Sequence, residues 1–311
     1  MKLRALLSVG ILACSGIAQA QNATPAAPAP VKIELKLAPG QIRAYKISVD
    51  QKGTMTLPGS GQNMPLNIGV TAYAKLIVDK QNDDGTWAAR YKIGGMKTTM
   101  NGAPMNLPSG TDGMTIKGIL SKTGAFKPTD DQPKSSGLGM GMSPGQSMSN
   151  VLGNLMNLPE KAVIVGDTWS TVVPLPFDAT GKSSITVDSK VLGIDHQNGD
   201  QIVRIQHDSS GPLNMTMTQP MPMNIAGTIK GSGLSQVSVN SGAPLDDLST
   251  QHMTLTVTGQ NPSGNGDKMN ISMDMVMTSH IESVVLERKA VVVKTPAKPP
   301  VKKAPAKGAR K

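Results

Sequence analysis

Aromatic residues and cysteine are what this chain most lacks. Its 311 residues include two Trp, three Tyr, two Phe and one Cys. So few rings exclude an interior built on aromatic stacking, so any core has to be aliphatic and thioether. Methionine, with 20 residues, is there to supply it. One cysteine excludes an intramolecular disulfide framework. The sequence also lacks HExxH, CxxC and a phosphate-binding Gly/Lys loop, which removes the readable signatures of common zinc, dithiol and nucleotide chemistries. Its four histidines, His196, His207, His252 and His280, stand apart from one another. Long helices are disfavoured by 33 Gly and 23 Pro.

The N-terminus reads as an export signal over residues 1–20. Lys2 and Arg4 precede an apolar stretch from Ala5, and Ala18-Gln19-Ala20 is a small-x-small cleavage site. The stretch is too short and wrongly flanked for a membrane span. Cleavage after Ala20 removes Cys14 and leaves no thiol. Ile11-Leu12-Ala13-Cys14 also resembles a lipobox, in which Cys14 is lipidated and becomes the new N-terminus. Both readings place the protein outside the cytoplasm: periplasm, cell surface or medium.

Charge is concentrated at the other terminus. The formal net charge is +10, and residues 288–311 hold nine Lys or Arg and no acid, so the remainder of the processed chain is close to neutral. Residues 294–311, KTPAKPPVKKAPAKGARK, are expected to be an extended, disordered tail, because Pro blocks helix and there is too little apolar surface to bury. Lys294, Lys298, Lys302, Lys303, Lys307, Arg310 and Lys311 would bind polyanions by counterion release. In an exported protein the partners are an anionic membrane surface or envelope polymer rather than nucleic acid. A merely solubilising tail is the competing reading. Residues 21–30, QNATPAAPAP, form a second tether.

Between these ends the pattern is strand. Met269, Ile271, Met273, Met275, Met277 and Ile281 alternate with Asn270, Ser272, Asp274, Thr278 and Glu282. Met253, Leu255 and Val257 alternate with threonines, as do Val70, Ala72, Ala74, Leu76 and Val78 with their neighbours. This period of two predicts half-buried strands. Asp84-Gly85 and Asn198-Gly199 are hairpin turn signals. One short helix is expected after Ser143-Pro144, where Met148, Val151, Leu152, Leu155 and Met156 recur at helical spacing. Similar phrases recur between the halves: Asp79–Asn82 with Asp195–Asn198, Thr115–Gly118 with Thr228–Gly231, and Ala38–Gln41 with Val165–Thr168. The expected fold is mainly β, an antiparallel sandwich or curved half-barrel built from two related halves. Those halves are residues 31–135 and 159–293, joined by a Gly-rich loop and the helix over 136–158.

Candidate chemistry is thin. Lys122-Thr123-Gly124 echoes the KTG of penicillin-recognising enzymes, but no serine has Lys three residues later, and it reads as a turn. Asp79 to Gly85 lacks the closing Glu of a calcium loop and reads as a hairpin turn. Asp130-Asp131 and Asp246-Asp247 read as solvated loop charge, since adjacent strand residues face opposite ways. NMTMTQPMPMN, Asn214 to Asn224, is the most distinctive segment. Thioethers select Cu(I), and M-x-M on a strand puts two sulfurs on one face about 7 Å apart. Met215, Met217, Met221 and Met223 are the candidate Cu(I) ligands on that reading. The favoured reading takes them, with Met273, Met275 and Met277, as the wall of an apolar face, because methionine is spread over the whole chain among Ile, Leu and Val. Such a surface repacks around varied apolar partners. The function expected is non-catalytic: holding an apolar or lipid-like ligand, or scaffolding at the envelope, with no cofactor. A Cu(I)-binding protein and a structural surface protein with a polyanion-binding tail are the alternatives.

LPEKAVIVGDTWSTVVPLP, Leu158 to Pro176, resembles an uncharacterised family of exported bacterial proteins and lipoproteins that carry an LPxKxVxVGDxW phrase. The opening Ala38-Pro39-Gly40 to Tyr45-Lys46-Ile47-Ser48 is similar to their xPGxxxxYKxS. The resemblance covers most of residues 31–290 and implies export without naming an activity. More distantly, the strand-rich layout is similar to the half-barrel of periplasmic lipoprotein carriers, which would imply a concave face for acyl chains.

Overall fold

A computed structural model describes residues 29–56, 62–105, 113–129, 158–174, 184–217, 223–260 and 268–284. The expected export signal with Cys14, Asp130-Asp131, the expected helix, Met221 and the expected basic tail from Lys294 to Lys311 lie outside the described residues. Among the described residues there is no helix.

Twelve strands make one antiparallel sheet, not a sandwich of two. They are β1 (Ile42–Thr56), β2 (Asn63–Gln81), β3 (Trp87–Met100), β4 (Ala103–Met105), β5 (Thr115–Leu120), β6 (Phe126–Pro128), β7 (Thr168–Pro174), β8 (Ser184–Gln197), β9 (Asp200–Met217), β10 (Met223–Ser238), β11 (Pro244–Gln260) and β12 (Lys268–Val284). The order is β6-β5-β3-β2-β1-β12-β11-β10-β9-β8-β7, with β4 paired to β3. Most neighbours in sequence are neighbours in the sheet, but β3 pairs with β5 past the short β4, β6 and β7 lie at opposite edges, and at the centre the first strand pairs with the last. Ile47 stands opposite Ile281 and Met55 opposite Met273. Among the described residues no strand joins the edges β6 and β7, so the sheet is not closed.

The turns follow their sequences. Asn101-Gly102 and Asn198-Gly199 both have positive φ at both positions, the type I′ geometry that matches strand twist. Asp84 accepts hydrogen bonds from the backbone N–H and hydroxyl of Thr86, which fixes the β2–β3 turn. Lys122-Thr123-Gly124 is a turn, Gly124 having φ +89.

One face of the sheet carries the apolar side chains. At the end holding the 82–86 and 198–199 turns, Tyr45, Leu76, Tyr91, Ile116, Val191 and Ile205 belong to one buried cluster. Strands as far apart in the sheet as β5 and β8 share it, so the sheet curls around this face. Residues 31–37 run across the same end as a strap. Ile33 is fully buried, and Leu35 nearly so. Leu35 N–H donates to the Lys122 carbonyl (2.9 Å) and Lys36 N–H to the Ser241 carbonyl (3.0 Å), while Val31 bridges Val163. The strap thus ties the turn after β5 to the turn after β10. Arg43 Nη2 reinforces it by donating to the carbonyls of Lys36 and Ser241, each at 3.1 Å.

Some bonding patterns recur. Gly40 N–H donates to Val78 O and Val78 N–H to Gln41 O; Gly166 N–H donates to Val191 O and Val191 N–H to Asp167 O. Ala38–Gln41 is therefore matched by Ile164–Asp167, one residue earlier than the sequence comparison placed it. A bulge follows Val78 in β2 and Val191 in β8. Thr115–Gly118 and Thr228–Gly231 lie at different heights: Ile116 faces buried Tyr91, whereas Ile229 faces Gly211 near the other end.

Candidate ligand-binding face

The apolar face changes character along the strands. This core is aliphatic and aromatic rather than aliphatic and thioether as expected, since Tyr45, Trp87, Tyr91 and Phe126 are all buried in it, and beyond it comes a polar row. Ser279, Ser249, Gly233, His207, Ser189 and Trp169 stand opposite one another in successive strands from β12 to β7. Ser249 and Ser279 share a hydrogen bond (2.7 Å). Ser189 Oγ lies 2.9 Å from His207 Nδ1, and His207 Nε2 lies 2.9 Å from Ser235 Oγ, which in turn donates to Asp247 Oδ2. Burial in this row holds the His207 pKa down to about 4, with nearby Asp208 opposing the shift, so the ring is neutral at pH 7. Burial also raises Asp247, against the hydrogen bond from Ser235. The reading of Asp246-Asp247 as loop charge is therefore corrected. Both lie on β11, and only Asp246 faces outward, 2.6 Å from His280 Nε2. Period-2 alternation separates the pair as expected, but strand pairing, which the sequence does not display, carries Asp247 into the interior.

Past the polar row the face becomes apolar again and rich in sulfur. Leu66, Gly53, Met275, Met253, Ile229 and Gly211 are opposite one another from β2 to β9, and a Cβ at Gly211 would lie 2.9 Å from Ile185 Cα on β8. Gly53 is what lets this row close up. A Cβ there would lie 2.2 Å from the Asp274 carbonyl and 2.9 Å from Met275 Cγ. Gln51 Nε2 donates to Met275 Sδ (2.7 Å). Two clusters cover this half. One centres on Ile185, Leu213 and Ile229, the other on Val257, Met273 and Met275, and both are flanked by half-buried Ile225, Met253 and Leu255.

The expected wall residues are placed as follows. Met273 and Met275 are buried on the apolar face, and Met223 is half-buried against them. Met277 is half-buried in the next row, opposite Gln51 and Gln251. Met217 pairs with Met223, and Met215 with Ile225, in the β9–β10 ladder. Sequence reasoning missed Met55 and did not assign Met253 a site role, although the alternation through Met253, Leu255 and Val257 carried the signal. The opposite face of the sheet is mostly polar, with Leu234, Leu248 and Val276 exposed on it, and is laced with the ion pairs Lys46–Glu282 (3.1 Å) and Arg204–Asp195 (2.8 Å) and the His252–Asp274 hydrogen bond (2.5 Å). An open groove of about 530 Å³ lies at the β7 edge, lined by Trp169, Ser170, Asp188, Ser189, Lys190 and Asp208 among others. Trp169 is half-buried against the core and borders this groove rather than anchoring the interior. Among the described residues no three His, Cys, Asp or Glu side chains group as a metal site.

No family model and no curated protein matches the chain. Among solved structures, a lipovitellin described for its lipid–protein interactions is similar over 82% of this chain and 27% of its own length, with 12% identity and a TM-score of 0.45. The chain thus spans about a quarter of that protein. Pseudomonas aeruginosa OccK2, in complex with glucuronate, is similar over 79% of this chain and 97% of its own, at 6% identity and a TM-score of 0.21. A Rh. blastica porin mutant is similar over 78% and 99%, at 10% identity and a TM-score of 0.18. These scores are too low to carry a functional inference.

Proposed function

We propose that this chain is an exported, non-catalytic binding protein that holds an apolar or lipid-like ligand on the sulfur-rich half of its apolar face. One observation carries the reading. Two apolar clusters run together through Ile225, Met253 and Leu255, and the side chains joining them are only half-buried. A chain building this half only for stability would bury those side chains, each worth about 1.5–3 kcal/mol when fully removed from water. A continuous half-covered apolar patch instead marks a binding surface, and methionine lets such a surface repack around ligands of different shape. The opposite face carries cross-strand ion pairs and only scattered exposed apolar side chains such as Leu234, Leu248 and Val276, as a wetted face does. Export rests on the signal-like N-terminus. The basic tail adds adhesion to an anionic envelope surface.

The full exported chain, purified without detergent, tests this by native mass spectrometry and by titration with an apolar fluorescent probe. The proposal expects a bound apolar species that organic extraction releases, and saturable probe binding that a long-chain lipid displaces. Neither a bound species nor saturable binding would refute it.

A further inference from the structure

Methionine is scattered in the sequence but gathered in the fold. The meander sends alternate connections to opposite ends of the sheet. The connections at the strap end, residues 82–86, 121–125, 198–199 and 239–243, contain no methionine. The strand ends at the other extremity carry Met55 and Met64, Met100 and Met105, Met217 and Met223, and Met269 and Met273. An even spread along the chain is the argument against a thioether metal site, and the topology removes it.

Within this end four methionines occupy neighbouring positions on three adjacent strands. Met55 on β1 is directly opposite Met273 on β12, and Met253 on β11 is directly opposite Met275 on β12. Met273 and Met275 are two residues apart and both buried on the same face. All four belong to one packed cluster. Directly opposed residues in an antiparallel pair have Cβ atoms about 4.5–5.5 Å apart, and positions i and i+2 on a strand are about 7 Å apart. The three rotatable bonds of each side chain let sulfurs on such a lattice turn to a common point. Gly53, opposite Met275, adds no side chain between Met55 and Gln51 on β1.

We propose that Met55, Met253, Met273 and Met275 form a thioether site for a soft monovalent cation, Cu(I) or Ag(I). The set differs from Met215, Met217, Met221 and Met223. Thioethers are soft, uncharged donors that favour Cu(I) over hard divalent ions. They have no proton to lose, so affinity stays flat with pH, unlike that of a histidine or carboxylate site. Cu(I) arrives already reduced and is bound without electron transfer. The inference does not rest on the apolar-ligand reading, although the two share Met253, and chelator competition tests it without any lipid.

The test is anaerobic competition of the full processed chain with a chromophoric Cu(I) chelator, with Ag(I) followed by native mass spectrometry as a redox-inert probe. The expected result is one Cu(I) per chain, with affinity unchanged between about pH 5 and 7, the range in which a histidine site would weaken. Replacing Met55, Met253, Met273 and Met275 together by Leu keeps volume and should weaken binding at least a hundredfold. Replacing Met215, Met217, Met221 and Met223 by Leu should leave it within a few-fold. If the first variant does not fold, the half-buried pair Met55→Leu/Met253→Leu carries the same test, with at least a tenfold loss expected. A wild-type chain that cannot compete with the chelator would overturn the proposal. So would a steep loss of affinity at pH 5, or loss only in the second fourfold variant.

Discussion

Gly242 presses against Glu34. A Cβ at position 242 would sit 2.0 Å from the Glu34 carbonyl oxygen and 2.6 Å from Leu35 N, and Gly242 has φ +64. The turn after β10 and the strap therefore meet backbone to backbone, and only glycine satisfies both the space and the dihedral. The strap buries Ile33 and Leu35 at the end of the core, so this contact holds the curled end of the sheet together.

Gly242→Ala should therefore destabilise the protein by about 2 kcal/mol or more, combining overpacking with left-handed strain. Gly199→Ala is the control. It has φ +80 with no atom within 4 Å of the new Cβ, and should cost about 1 kcal/mol from backbone strain alone. Chemical denaturation of both variants checks the order. Equal losses would mean that the strap yields.

The two tryptophans should report different environments. Trp87 is 3% exposed, whereas Trp169 is half-buried at the β7 edge and borders the groove. Trp87→Phe, which leaves Trp169 as the only indole, should show several-fold stronger acrylamide quenching than Trp169→Phe. Trp87→Ala should cost about 3–5 kcal/mol, and Trp169→Ala clearly less. Similar quenching in the two Phe variants would contradict the placement of Trp169.

His207 makes stability fall with acid. Its folded pKa is about 4 against 6.5 when unexposed to the fold, so between those values the unfolded chain binds the extra proton. Stability is thus full above about pH 6.5 and is lost as pH falls towards 4, by up to about 3 kcal/mol at roughly 1.4 kcal/mol per unit. Asp247 acts in the opposite sense: its raised pKa means the folded state holds its proton longer, costing stability at neutral pH and regaining it as pH falls through that raised value. His207→Gln keeps hydrogen-bonding capacity but cannot titrate. Urea unfolding between about pH 7 and 4 should show a shallower decline in this variant than in the wild type. Parallel declines would assign the acid sensitivity to other groups.

The strands were legible because their faces differ. Met269 to Ile281 and Val70 to Val78 show the period of two in the sequence, and both fall on strands, β12 and β2, with that alternation preserved in burial. The Asn198-Gly199 turn was legible because its dihedrals demand those residues. Pairing across the centre of the sheet was not, since nothing local in Ile42–Thr56 points to Lys268–Val284. Three consequences of that topology stayed hidden with it. His207, Ser235 and Asp247 meet only through strand register. Met55 joins Met273 only through the β1–β12 ladder. The gathering of methionines at one end appears only once alternate connections are assigned to ends. The strap was read as the opening of the first half. Its role became visible when its hydrogen bonds reached both Lys122 and Ser241.

The central claim is that an apolar ligand lies on the sulfur-rich half of one face of the sheet. Photolabelling of the full chain with a diazirine-bearing acyl chain, followed by peptide sequencing, tests this directly. The account predicts saturable labelling at Ile225, Met253, Leu255 and their neighbours on the same face, competed away by unlabelled lipid. Labelling confined to outward-facing residues such as Leu234, Leu248 and Val276, or labelling that never saturates, would contradict it.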